Sequence, residues 1–172
     1  MSSAQYHGPD VAPAGSDQDQ LYFPCSIAQE RFWVLDRLEP GNPALNIAVR
    51  WQLDGHVSSD LVERAFQAII ARHEILRTSL VSTDGSLFQL VVPSIPFRIA
   101  SVDLTTLSGD QPMREAERIG QLEARAPFDL AQAPLLRVTL IRIAEQTSLL
   151  LLTVHHTVCD GCLLYTSPSP RD

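Results

Sequence analysis

The sequence predicts an α/β fold of the α+β kind, in which helices cover a mixed β-sheet. Three observations indicate this fold: some segments repeat apolar residues at helical spacing, others alternate apolar and polar residues, and the two kinds follow one another along 172 residues. Hydrophobic residues make up 45% of the chain, which is enough for one buried core. We therefore expect one domain or a piece of a larger one.

The two ends of the chain differ from the middle in amino-acid composition and periodicity. Residues 1–20 mix Ser, Gln, Asp, Gly and Pro with too few large apolar side chains to offset the entropy lost on ordering, so we expect a flexible leader. Residues 162–172 lack periodicity, and Pro168 and Pro170 bar a helix there. We expect a non-native or disordered tail at 162–172 and a folded unit at 21–161.

Three segments have the apolar spacing of helices. Ser26 can cap the first of them through its hydroxyl oxygen. The second has the clearest pattern, and Asp60 with Glu63 resembles a capping box at its start. The third is charged and amphipathic. In chain order, the predicted helices are Ile27–Leu38, Ser59–Ile75 and Pro112–Ala126.

Other segments predict β-strands. Leu45–Leu53 alternates with a period of two, which is typical of a half-buried strand. Asp84-Gly85 predicts the turn of a hairpin. Ser148–Val154 is apolar and uncharged, as expected of a strand buried on both faces. In chain order, the predicted strands are Leu45–Leu53, Thr78–Ser82, Leu87–Val92, Phe97–Leu104, Leu135–Ile143 and Ser148–Val154.

The last predicted strand leads directly into a segment with several polar and ionisable side chains, His155-His156-Thr157-Val158-Cys159-Asp160-Gly161. Ligands and catalytic groups often lie at the carboxyl ends of strands in α/β sheets. An imidazole there can accept a proton from an attacking nucleophile, which favours an acyl- or group-transfer enzyme. Because adjacent strand residues point to opposite faces, one histidine is expected to be structural and the other catalytic.

Charge and cysteine content argue against several classes of protein. The chain has 13 Lys and Arg against 20 Asp and Glu, a net charge of −7, unlike the basic surface of a nucleic-acid-binding protein. No apolar stretch approaches the roughly 20 residues of a membrane span. Cys25, Cys159 and Cys162 complete neither a disulfide framework nor a zinc site. We expect a cytoplasmic protein that binds no nucleic acid, membrane or metal.

Three segments in register resemble the condensation domain of nonribosomal peptide synthetases, within the chloramphenicol-acetyltransferase-like superfamily of acyltransferases. They are Ser26–Leu35 (SIAQERFWVL), Arg72–Leu80 (RHEILRTSL) and His155–Gly161 (HHTVCDG). The resemblance covers about Tyr22 to Gly161 and implies a chloramphenicol-acetyltransferase-like lobe. Such domains have two lobes, so the chain is expected to hold the N-terminal lobe and to stop before the second.

The resemblance also implies an activity, amide bond formation. Such domains join two thioester substrates that are held on the phosphopantetheine arms of upstream and downstream carrier (thiolation) domains, beside an adenylation domain. They bind no cofactor directly. His156 matches the catalytic position, and His155, Asp160 and Gly161 match supporting ones. We expect Arg77 to pair with Asp160, because a buried carboxylate needs a bidentate cation.

Two alternatives remain open, one a different enzyme chemistry and the other a noncatalytic role. The same histidine motif is found in relatives that catalyse epimerisation or ester formation, and a noncatalytic lobe can serve as a carrier-docking or scaffold module. The fragment by itself is expected to be inactive or very weak, because both thioesters must be held in one channel.

Overall fold

The computed structural model describes residues 21–159, and these residues form two β-sheets with three α-helices packed against them. The expectations for the leader, the tail, Asp160 and Gly161 lie outside the described residues. In chain order the elements are β1 (Leu21–Pro24), α1 (Ile27–Leu38), β2 (Asn46–Asp54), α2 (Ser59–Arg72), β3 (Thr78–Thr83), β4 (Ser86–Val91), β5 (Ala100–Asp103), α3 (Gln111–Arg125), β6 (Leu136–Ala144) and β7 (Thr147–His155).

The helices α1 and α3 have the predicted bounds to within one residue, whereas α2 is shorter than expected. Helix α2 ends at Arg72, and a 3₁₀ turn over Glu74–Arg77 follows it. The predicted capping box of Asp60 and Glu63 is wrong. Ser58 is the N-cap and makes no side-chain cap bond. Glu63 instead accepts hydrogen bonds from Arg98 Nη1 at 2.6 Å and from a backbone N–H at 3.2 Å.

The larger sheet is mixed, as predicted, with the strand order β2-β7-β6-β5. β7 pairs antiparallel with β2 and β6, and β5 pairs parallel with β6. The register sets Asn46 of β2 opposite His155, the last residue of β7. The predicted strand Phe97–Leu104 is shorter in the structure, where it is β5. Phe97 precedes this strand and packs against Phe66 of α2, with ring centroids 6.3 Å apart.

The smaller sheet is antiparallel, in the order β1-β4-β3, and the single predicted sheet is therefore two. Its hairpin turn is the predicted one. Asp84 and Gly85 have φ angles of 51° and 79°, the left-handed conformation that two-residue hairpin turns require. The strand β1 was not predicted from the sequence, and it pairs with β4 over only four residues.

Buried side chains of β7 alternate between two apolar clusters. Leu149 and Leu151 pack in one cluster with Ala116 and Ile119 of α3. Leu152 and Val154 lie in the other cluster, which draws residues from α1, α2 and the smaller sheet. We call the two sides of the larger sheet the α3 face and the α1 face. Within residues 21–159, no helix has the length and apolar character needed to cross a membrane.

Candidate active site

The carboxyl end of β7 presents two adjacent imidazoles to opposite faces of the larger sheet. His155 is the last strand residue, and its N–H donates to Leu135 O at 3.0 Å. The N–H of His156 donates to Leu45 O at 2.8 Å on the other side. These two bonds fix the backbone of both residues. The rings therefore point to different faces, as the alternation of strand residues requires.

His155 lies on the α3 face and is enclosed. It is 3% exposed, and the ring of Phe128 meets it edge-on with centroids 6.0 Å apart. Its Nδ1 lies 2.9 Å from Thr157 Oγ1 and accepts the Thr157 N–H at 3.3 Å, which assigns the ring hydrogen to Nε2. Burial, followed by the nearby His156, lowers the pKa of His155 to about 4. At neutral pH this ring is an uncharged, fixed support.

An ion pair between a partly exposed arginine and a buried glutamate lies behind Phe128, which contacts His155. The guanidinium of Arg137 lies over the Phe128 ring at 3.8 Å, and its Nε is 3.2 Å from Glu123, whose side chain is 5% exposed. Arg137 also donates to Glu123 O in the last turn of α3 at 3.1 Å and to the C-cap carbonyl, Ala126 O, at 2.7 Å. Asn46 Nδ2 donates to Ala126 O at 2.9 Å. Carbonyls at a helix end need such partners, so these bonds tie the end of α3 to β6 and β2.

His156 lies on the α1 face and is partly exposed. Its ring packs against Phe32 of α1, with centroids 4.9 Å apart and planes tilted by 34°. Nothing in the sequence indicated that Phe32 would touch a histidine. The arrangement leaves an imidazole that is fixed by its backbone and by one aromatic contact, yet is open to an approaching molecule.

Gln29 of α1 also contacts the loop that follows β7 (residues 156–159, here called the histidine loop), and sequence reasoning missed it. Its Nε2 donates to Thr157 O at 3.4 Å and to Gln89 Oε1 at 2.9 Å. Its Oε1 accepts the Ser26 N–H at 2.9 Å, while Ser26 Oγ accepts the Gln29 N–H at 3.3 Å. These two reciprocal bonds form a capping box. The available signal was the Ser-x-x-Gln spacing at the start of a predicted helix.

Arg77 is not an exposed surface charge, since its side chain is only 11% exposed. Its Nη2 lies 3.4 Å from Glu74 Oε1, and its Nη1 donates to Val92 O at 3.4 Å. Its buried Nε has no acceptor among residues 21–159. Asp160 and Gly161 lie outside the described residues, so the pairing of Arg77 with Asp160 stays a prediction.

Comparisons with known proteins agree on one family. A family model described as "Condensation domain" matches residues 19–164. A linear gramicidin synthase of Brevibacillus parabrevis is 41% identical over 138 residues, which cover 80% of this chain and 2% of that protein. Phosphinothricin tripeptide synthetase PhsC of Streptomyces viridochromogenes is 36% identical over 161 residues, which cover 94% of this chain and 15% of that protein.

A solved structure gives the same result for the fold. The starter condensation domain of rhizomide synthetase superposes with a TM-score of 0.77 at 25% identity, covering 84% of this chain and 36% of that one. The first condensation domain of the CDA synthetase superposes with a TM-score of 0.71. The chain thus spans about a third of the length of the solved domains and a small part of the synthetases it matches.

Proposed function

This chain belongs to the condensation-domain family of nonribosomal peptide synthetases, and we propose that it supplies the histidine-bearing lobe of a domain that joins two carrier-bound thioester substrates through an amide bond. The observation that carries the proposal is the partly exposed ring of His156 at the end of β7, beside the enclosed ring of His155. One residue is held as a support, and its neighbour is presented for reaction.

The reaction transfers an acyl group from sulfur to nitrogen. The amine of the downstream substrate attacks the carbonyl carbon of the upstream thioester, so a C–N bond forms and the C–S bond breaks. The imidazole of His156 accepts the proton that the amine loses, and this proton then passes to the departing thiolate. His155, whose ring is enclosed and uncharged at neutral pH, supports the backbone next to His156.

The substrates and partners of the proposed domain follow from the family. Upstream and downstream carrier domains present the two thioesters on phosphopantetheine arms, beside an adenylation domain. Cys25 carries a free thiol, which fits a reducing cytoplasm. Since the chain spans about a third of the solved condensation domains, we propose this activity for the complete domain and little or none for these 172 residues alone.

The test is product formation by the complete condensation domain with both carriers loaded. His156→Ala should lower the rate of amide formation by roughly 10²- to 10⁴-fold, the usual contribution of a general acid–base group. His56→Ala is the matched control, because His56 is exposed and lies outside the three motifs. Undiminished amide formation by the His156 variant would favour a noncatalytic carrier-docking lobe instead. An epimerised or ester product would assign the alternative chemistries.

We also propose that Arg77 pairs with Asp160 and so folds the histidine loop. The support is a guanidinium that is largely buried and whose Nε lacks an acceptor within residues 21–159. Arg77→Ala should destabilise the complete domain and lower its activity, while Arg64→Ala, at an exposed position of α2, should change neither. Intact stability and activity in the Arg77 variant would show that the pair is absent.

A further inference from the structure

Helix α1 buries a polar side chain and leaves apolar ones exposed. Gln29 is 6% exposed, whereas Ile27 and Leu38 are 78% and 73% exposed. An ordinary amphipathic helix does the opposite, and burial of an amide is costly unless its hydrogen bonds are made. The position of Gln29 therefore has to be explained by the polar contacts that α1 makes with the rest of the lobe.

The hydrogen bonds of the Gln29 amide are directed at fixed backbone or at another amide. Its Nε2 donates to Gln89 Oε1 and to Thr157 O, and its Oε1 accepts the Ser26 N–H. Gln89 in turn donates to Pro24 O at 3.0 Å. The chain of bonds thus joins α1, β4 and the end of β1 to the loop that follows β7.

Thr157 is held from both faces of the larger sheet. On the α3 face, its N–H and hydroxyl lie against His155 Nδ1. On the α1 face, its carbonyl accepts from Gln29. One turn further along α1, Phe32 lies against the ring of His156. A single helix therefore contacts both the backbone next to His156 and its ring.

We infer that Gln29 is a positioning residue for His156: by holding the Thr157 carbonyl it fixes the loop, and with it the direction in which the His156 ring projects past Phe32. This inference rests on the proposed catalytic role of His156. Gln29 acts on the geometry of that ring and does not touch the substrates.

The test is Gln29→Met in the complete condensation domain with both carriers loaded. Methionine has a similar length but donates no hydrogen bond. The turnover rate kcat should fall by roughly 10- to 100-fold, the effect of a catalytic group displaced by about 1 Å. The KM for the loaded carriers should stay unchanged, because an interaction that matters only in the reaction step alters kcat and kcat/KM equally.

Two further variants separate the loop contact from helix capping and from general destabilisation. Gln29→Glu keeps an oxygen for the Ser26 N–H and removes both donated bonds, so it should lose as much kcat as the methionine variant. Gln67→Met is the matched control, because Gln67 of α2 also donates to a backbone carbonyl, Phe97 O at 3.0 Å, away from the histidines. Its kcat should equal that of the wild type. If the methionine variant does not fold, the kcat of the glutamate variant decides between the outcomes. An undiminished kcat in the variant that folds overturns the inference.

The double variant Gln29→Met/His156→Ala distinguishes this inference from the proposed function. If Gln29 acts through His156, the double variant should be no slower than His156→Ala alone, because residues that act as a unit are non-additive. Full additivity of the two losses overturns the positioning role and leaves the function standing. Undiminished activity of His156→Ala by itself removes the function on which the inference rests.

Discussion

The two faces of the larger sheet place adjacent histidines in different environments. On the α3 face, His155 is 3% exposed, bound to Thr157 and backed by Phe128. On the α1 face, His156 is partly exposed and its ring meets Phe32. Adjacent residues at the end of one strand thus lie in two environments, with one ring enclosed and the other accessible.

The faces also differ in what holds them. The α3 face relies on the pair of Arg137 with the buried carboxylate of Glu123, at the end of α3. The α1 face relies on the uncharged amide of Gln29. We therefore expect changes on the α3 face to act mainly on the free energy of unfolding, and changes around Gln29 to act mainly on turnover.

The largest expected effect on stability comes from Arg137→Met. Loss of the guanidinium leaves the buried carboxylate of Glu123 without its cationic partner. This uncompensated charge should lower the free energy of unfolding by about 3–5 kcal/mol. Chemical denaturation of the 172-residue chain measures this. Arg118→Met is the control, since Arg118 pairs with Glu115 at the surface, and it should change little. Equal stability of the two variants would show that the α3 face does not depend on this pair.

A somewhat smaller loss in the free energy of unfolding is expected when the pH is lowered. The pKa of His155 is about 4 in the folded chain against an ordinary 6.5, so the unfolded chain binds more protons between these values. The contribution of His155 is therefore complete above pH 6.5 and is lost as the pH falls toward 4. The loss should be about 3 kcal/mol, from about 1.4 kcal/mol for each pKa unit.

The measurement is denaturation at a series of pH values in the wild type and in two variants. His155→Asn keeps an acceptor near the position of Nδ1 and should remove most of this pH dependence. His56→Asn, at an exposed histidine, should keep the wild-type slope. The same slope in all three proteins would mean that His155 titrates alike in the folded and unfolded chain.

The smallest expected effect concerns the start of α1. Ser26→Ala removes the oxygen that accepts the Gln29 N–H and should lower the free energy of unfolding by about 1 kcal/mol. Ser58→Ala is a close control, because Ser58 is the N-cap of α2 but makes no side-chain cap bond. Thermal or chemical unfolding compares the two. A loss as large for Ser58 as for Ser26 would contradict the assignment of the cap.

The features that were predicted well from the sequence depend on neighbouring residues. Ser26 at the start of α1 and Asp84-Gly85 in the hairpin act within a few positions, and both predictions are confirmed. The division into two sheets depends on which distant strands pair, and periodicity does not specify that. The capping box of Asp60 and Glu63 failed because α2 begins earlier, with Ser58 as its N-cap, and the carboxylate of Glu63 instead binds Arg98, 35 positions away.

The candidate site follows the same pattern. Alternation along β7 predicted that the rings of His155 and His156 would point to opposite faces of the sheet, because this depends on backbone geometry alone. It did not predict which ring would be enclosed, since that depends on Phe128 and Phe32 from distant segments. Gln29 was missed because its bond to Thr157 spans 128 positions.

The most direct test of the difference between the two faces is a nitrogen NMR titration of the histidine side chains in the 172-residue chain, with His155→Asn used for assignment. We predict that the ring of His155 stays neutral, with its hydrogen on Nε2, from about pH 8 down to about pH 5, because its pKa is about 4. A His155 ring that gains a proton near its ordinary pKa of about 6.5 would contradict its role as an enclosed, uncharged support.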